Sequence, residues 1–200
     1  MEYKSILGVV AVLVAIVSYI PYFRNIFTGS TKPHAFSWLV WGMLNAIAFA
    51  GQIHDNGGAG TWAVGLTAAV MFFIFFLSLR RGEKDIRLFD WFCLAGAGIA
   101  LVPWFLTTEP LISIVFITII DALGFLPTVR KSYKRPHQET LVTFLLSAIK
   151  YSLVIVALER YTLVTMLFPA SLVIMNALFV LMLVVRRRQV DLTSVLVPRS

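Results

Sequence analysis

The 200-residue chain is 59% hydrophobic and only 14% charged, with a mean hydropathy of +0.86, whereas a soluble domain has roughly 45–50% apolar and about 25% charged residues. That apolar surplus needs lipid and excludes an ordinary water-soluble globule. The formal net charge of +7 sits in short loops between apolar runs, where it reads as a topology signal and not as a nucleic-acid surface; the lone Cys93 excludes an internal disulfide and multi-cysteine metal sites.

A bilayer is crossed by about 20 apolar residues, with a range of about 17–25. Seven such spans are predicted, at 5–27, 34–54, 60–80, 87–106, 110–131, 138–158 and 161–185. The first could pass for a signal peptide, but no small-x-small cleavage site follows it, so it is expected to stay as a helix. The second carries Trp38, Trp41 and Asn45. The fourth is interrupted by Pro103 and contains the small residues Ala95, Gly96, Ala97 and Gly98, against which another helix can pack closely. The fifth holds Asp121 and Pro127, the sixth Lys150, and the seventh Pro169 and Asn176. The last five residues, Leu196-Val197-Pro198-Arg199-Ser200, resemble a thrombin site and are left out of the charge count.

Seven spans put the two termini on opposite sides. One side then holds Arg24, Lys32, Arg80, Arg81, Lys84, Arg87, Arg130, Lys131, Lys134, Arg135, Arg186, Arg187 and Arg188, while the other holds only Lys4 and Arg160. The basic side is expected to be cytoplasmic, with the N-terminus outside and the C-terminus inside. Trp62, Trp104 and Tyr161 fall at predicted outer ends, and Trp38, Trp91 and Tyr133 near inner ends, as an aromatic belt would.

The chain also repeats itself. Pro21-Tyr22-Phe23-Arg24 followed by Pro33-His34 recurs as Pro127-Thr128-Val129-Arg130 followed by Pro136-His137, 106 residues later. In each copy an apolar run ends in Pro-x-x-Arg, a short basic loop follows, and Pro-His opens the next apolar run. Duplicated halves in a membrane chain usually build one central pathway between them. The predicted division is a first three-helix repeat over 1–82, a linker helix over 83–107, a second three-helix repeat over 108–188, and a tail over 189–200. Because one span joins the triplets, the two run parallel, related by an axis along the membrane normal.

These residues resemble the PQ-loop repeat family, which includes the SWEET sugar transporters; the KDEL receptors and PnuC vitamin transporters share the three-one-three architecture. The matching stretches are Tyr19-Ile20-Pro21-Tyr22 with Thr31-Lys32-Pro33 and Ser37-Trp38, and Phe125-Leu126-Pro127-Thr128 with Arg135-Pro136. The family glutamine is replaced by Tyr22 in one copy and Thr128 in the other. The resemblance implies that Pro21 and Pro127 act as hinges, that the third helix of each triplet lies between the other two, and that an Asn of the last helix, here Asn176, contacts substrate. The third-helix asparagine of that family has no counterpart in Ala68-Ala69-Val70-Met71.

Proline inside a helix removes a backbone hydrogen bond and kinks it, so Pro21 and Pro127 read either as paired hinges or as static kinks; Pro103 and Pro169 read as static kinks. Asp121 and Lys150 lie near the middles of their spans, at depths that agree within about 5 Å. A lone charge at the bilayer centre costs about 2.5–3.5 kcal/mol on insertion scales. The two are therefore expected to face the interior and to meet directly or through water, as a structural ion pair or as a substrate, ion or proton site. Asn45 and Asn176 either bridge helices, at about 0.6–2 kcal/mol per bond, or face a polar solute. Trp41 either belongs to the aromatic belt with Trp38 or stacks on a flat solute. His34 and His137 read as helix-start residues at the membrane interface, and two histidines without nearby carboxylates or thiols give no metal site. Asp90 and Glu109 fall at span ends and are expected to be solvated.

No nucleophile–base set, zinc motif or phosphate loop appears, so neither an enzyme nor a cofactor is expected. The sequence thus points to an all-α integral membrane protein of seven helices. Its expected function is alternating-access transport of a small polar solute, sugar-like or amino-acid-like, with Asn176, Asn45, Asp121, Lys150 and Trp41 at the solute. The alternative is a receptor on the same scaffold that binds without transporting, with Arg24, Arg130 and the basic loops as an anionic docking surface. The expected partners are the solute and the lipid bilayer, no nucleic acid, with room for a homo-oligomer. The compact loops suggest a prokaryotic plasma membrane.

Overall fold

The structure is a computed structural model that describes residues 2–29, 33, 35–82, 88, 91–92, 95–96, 99, 110–134, 136–138 and 141–196. The described residues form an all-helical bundle. Its long helices are α1 (Glu2–Phe27), α2 (Ala35–His54), α3 (Trp62–Arg81), α4 (Pro110–Lys134), α5 (Leu141–Ala157) and α6 (Leu163–Leu196). Short 3-10 turns at Gly58–Thr61 and Pro136–Gln138 lead into α3 and α5.

Three described segments are long and apolar enough to cross a membrane: Tyr3–Phe27, Gly58–Arg81 and Leu163–Asp191. Two further apolar helices, Pro110–Phe125 and Leu141–Ala157, are shorter. The distribution of side chains is that of a membrane protein. Large apolar residues point outward, with Leu13, Phe76 and Leu181 each more than half exposed. Such a surface would be insoluble in water and is what lipid requires.

Helix α1 shows how the sequence does this. Its inward face is Gly8, Ala11, Ala15 and Ser18, all buried, at spacings of three and four that fall on one helical stripe. Small side chains let neighbouring backbones come close, and membrane helices associate mainly through such contact. The same helix presents Ile6, Leu13, Ile16, Val17 and Ile20 outward.

The first proline of each repeat copy lies within a continuous helix, Pro21 in α1 and Pro127 in α4; the Pro127 side chain lies outside the described set. Pro169 is likewise internal to α6. That helix runs past the predicted span end at 185 to Leu196. Its extra turns are held by Arg187 Nε donating to the Pro136 carbonyl (3.1 Å) and by His137 against Asp191 (3.0 Å). The predicted fourth span lies outside the described residues apart from isolated helical positions. One of these, Gly96, faces Ile120 of α4 so closely that an added Cβ would sit 3.2 Å from its Cδ1.

The packing has a repeated pattern. Helix α3 lies against both α1 and α2, and α6 lies against both α4 and α5. Among the described residues the backbones of α1 and α2 stay apart, as do those of α4 and α5; only long side chains meet across these gaps, Tyr22 with Trp38 and Phe125 with Phe144. Between the two sets, α1 packs on α5 and α2 packs on α4. One apolar core, including Ala11, Leu44, Ala48, Val64, Ile117, Val154 and Phe168, draws on all six helices.

Candidate functional site

At mid-depth, four helices bring polar side chains together in an otherwise apolar core. Lys150 of α5 is 1% exposed. Its Nζ donates to Thr67 Oγ1 of α3 at 3.1 Å. The ammonium lies 4.1 Å from the Tyr151 ring centroid and 5.6 Å from that of Tyr19 on α1. Cation–π contact of this kind contributes about 0.5–2 kcal/mol. The Thr67 hydroxyl donates to the Ala63 carbonyl at 2.7 Å, which leaves its oxygen to accept from the ammonium. The tyrosine hydroxyls of residues 19 and 151 both come near Thr67.

Tyr151 extends the network to α2 by donating to Asn45 Oδ1 at 3.0 Å. The Asn45 amide nitrogen donates to the Trp41 carbonyl (3.0 Å) and contacts Met71 Sδ (3.3 Å). Both ends of this amide are thus taken up by the protein. Asn176 of α6 differs. It is also buried, but its Nδ2 donates to the Leu172 carbonyl of its own helix at 2.7 Å, which leaves the rest of the amide free of described partners.

Asp121 and Lys150 are expected to meet directly or through water, and the direct contact does not form. Asp121 is 5% exposed, and among the described residues it has neither an ion-pair nor a hydrogen-bond partner. The packing explains this. Lys150 leaves α5 toward α3 and α1, whereas Asp121 is on α4, which is separated from α5 by α6. The Tyr151 ring is beneath the ammonium and its hydroxyl is within electrostatic reach of Asp121. The repeat-related positions in the first set, Ala15 and Ile47, are buried and apolar, so the charged site has no twin.

The end of the bundle that holds Lys4 is closed. The Lys4 ammonium donates to the Leu158 carbonyl at the end of α5 (2.6 Å) and lies 3.9 Å from Glu159. Asp55, just past α2, accepts from the Thr162 hydroxyl and lies 4.0 Å from Arg160. The Glu159 amide donates to the Gly57 carbonyl (3.0 Å), and Gln52 Nε2 donates to the Thr165 carbonyl (2.9 Å). The backbones themselves touch: a Cβ on Gly60 would lie 2.7 Å from the Val154 carbonyl oxygen.

At the other end each set of helices packs on itself. Tyr19, Ile26, Trp38 and Ile74 form a cluster within α1–α3, joined by Tyr22, Phe23 and Trp41. Phe125, Phe144 and Phe179 form an aromatic triad within α4–α6. The hydrogen bonds and ion pairs named above between α1–α3 and α4–α6, with the segments that join their helices, lie at mid-depth or toward Lys4.

Several other expectations have structural outcomes. Trp38 is not a belt residue: it is 8% exposed, donates to the Tyr22 hydroxyl at 3.2 Å, and stacks edge-on against Trp41 at 5.5 Å. Tyr22, in the Pro21-Tyr22 pair of the first repeat, supplies the oxygen that accepts this bond. Trp41 is partly buried in both apolar clusters. Trp62, Trp91, Tyr133 and Tyr161 are exposed. His137 does have a nearby carboxylate, Asp191, across 54 residues of sequence. His34, Asp90, Pro103, Trp104, Glu109 and the Arg130 side chain lie outside the described residues. Sequence reasoning missed Thr67, Tyr151 and Gln52. Gln52 and Thr67 are polar residues within apolar runs, and that signal was available.

No family model, curated protein or solved structure matches the chain.

Proposed function

We propose that this protein moves a small polar solute across a membrane by alternating access between two three-helix halves. The observation that carries this reading is the asymmetry of the contacts between α1–α3 and α4–α6. They seal the bundle from the Lys4 end down to a buried polar cluster, and beyond it each set keeps its own core. A carrier with its solute site reachable from one side only has this arrangement.

The finer architecture follows as part of the proposal: seven spans in a three-one-three order, with 87–106 as the linker. The repeated packing supports it, because exchanging the two triplets exchanges the α1–α5 contact with the α4–α2 contact. The basic loops support a cytoplasmic Arg24 end, so the closed Lys4 end faces outside and the site opens inward. Rocking of the halves about the mid-depth cluster would break the Lys4-end contacts and bring the two inner clusters together, with Pro21 and Pro127 absorbing the bend.

A receptor that binds without transport would also be closed at one end. Counterflow uptake in proteoliposomes separates the two. Sugars, amino acids and nucleosides are offered to the wild type and to Asp121→Asn and Lys150→Ala. Uptake of one class, lost in both variants while they stay folded, is the expected result. A well-folded wild type that moves none of them overturns transport and leaves the receptor.

A further inference from the structure

The bundle holds two buried side chains of opposite charge, Lys150 in the polar cluster and Asp121 outside it on α4, that do not touch each other. Lys150 has three N–H donors and among the described residues one hydrogen-bond acceptor, Thr67 Oγ1; the tyrosine faces supply the rest of its surroundings. Asp121 has acceptor oxygens and no described donor. An ion pair that served only to join helices would close to contact, since a charge left alone within the membrane is costly. Here the two are held on helices that α6 keeps apart, so neither can cancel the other directly.

We propose that Asp121 and Lys150 together form a site for a compact zwitterion of the α-amino-acid type, its carboxylate on Lys150 and its ammonium on Asp121. This rests on the transport reading only for the site's accessibility. One ligand of this kind neutralises both charges at once. Each contact is a charge-assisted hydrogen bond, the stronger class. A neutral polyol would hydrogen-bond to both groups and leave both charges buried and uncompensated. A simple anion would satisfy Lys150 and add a second negative charge near Asp121. Asn176, with part of its amide unengaged, is the neighbour on α6 suited to accept or donate to the ligand's remaining polar atoms. The first triplet cannot form a second such site, because Ala15 and Ile47 stand at the related positions.

The test is thermal unfolding of the purified full-length protein in detergent, with the standard L-amino acids, a set of sugars and a set of nucleosides as probes. The amino acid giving the largest stabilisation is then compared with its amide, which lacks the carboxylate, and with its des-amino acid, which lacks the ammonium. The expected result is that both analogues bind about tenfold or more weakly, as the loss of one charge-assisted contact predicts. Asp121→Asn should lose the zwitterion's advantage over the des-amino acid, and Lys150→Met its advantage over the amide. Equal stabilisation by the zwitterion and both analogues overturns the proposal, as does stabilisation by sugars or nucleosides alone, or by nothing offered. The analogue series uses the wild type, so it stands even if a variant fails to fold. Failure of the transport reading looks different: an amino acid that binds in this way but shows no counterflow leaves the zwitterion site intact and removes transport.

Discussion

The Tyr151 hydroxyl donates to Asn45 Oδ1 across 3.0 Å, and this bond ties α5 to α2 at the level of the buried lysine. Both residues are almost wholly buried. The amide cannot turn away, because its nitrogen is held by the Trp41 carbonyl and Met71. The bond therefore fixes the register of the two halves where the proposed solute site lies.

Tyr151→Phe is expected to lower the unfolding free energy by about 0.6–2 kcal/mol, the range for an interhelical hydrogen bond in a membrane protein. Asn45→Ala should cost at least as much. The double variant should be less destabilised than the sum of the two, because both singles lose the same bond. Denaturant unfolding in mixed micelles measures all three, and strict additivity would show that the bond contributes nothing.

Thr67 should matter more to stability than the lysine it serves. Removing one partner of a buried charge leaves that charge uncompensated, whereas removing the charge itself can be nearly neutral. Thr67→Val keeps the shape and deletes the hydroxyl, leaving the Lys150 ammonium with only aromatic faces. A loss of about 1–3 kcal/mol is expected, against a smaller change for Lys150→Met. In the double variant Thr67→Val/Lys150→Met most of the threonine penalty should vanish. Melting curves that rank Lys150→Met as the worse single variant would contradict this account.

Gly60 is required for closure of the Lys4 end. A Cβ there would meet the Val154 carbonyl oxygen at 2.7 Å and the Leu158 amide nitrogen at 2.8 Å. Both are backbone atoms that cannot swing aside. Gly60→Ala should push the Gly58–Thr61 turn off α5 and cost about 1–3 kcal/mol, as overpacking does. A melting temperature unchanged from the wild type would mean that the two backbones are further apart than described.

Much of this arrangement is legible in the sequence, and the remainder is not for physical reasons. Helix positions follow from apolar length, so α1, α2 and α3 begin and end close to the predicted limits. The inward placement of Asp121 and Lys150 follows from the cost of exposing charge to lipid. Their separation does not, because equal depth says nothing about which helices are neighbours; that depends on α6 lying between α4 and α5. Trp38 misled for a related reason. A tryptophan near a helix end suits the membrane interface, and only the partner at Tyr22, on a different helix, shows that its N–H is satisfied inside. The Lys4-end contacts join loops far apart in sequence, such as Asp55 with Thr162, and no local pattern announces them.

Asp55 should control how often the Lys4 end opens. It accepts from the Thr162 hydroxyl. Its approach to Arg160 is at 4.0 Å with the arginine side chain 57% exposed, so that pair contributes little. Most of the effect of Asp55→Ala should therefore come from losing the threonine bond, and Arg160→Ala should be nearly silent. The lost bond weakens the sealed state, and each 1.4 kcal/mol removed raises the open fraction about tenfold. Ala48 is 1% exposed in the core shared by both halves, so a cysteine there reports opening. With Cys93→Ser as background, Ala48→Cys should react slowly with a membrane-impermeant thiol reagent added on the Lys4 side of oriented vesicles. Adding Asp55→Ala should accelerate labelling several-fold to about tenfold, and Thr162→Val should do the same, while Asp55→Asn, which keeps an acceptor oxygen for Thr162, should not. Equal labelling rates in all of these would mean that the seal depends on the backbone contact at Gly60 and not on Asp55.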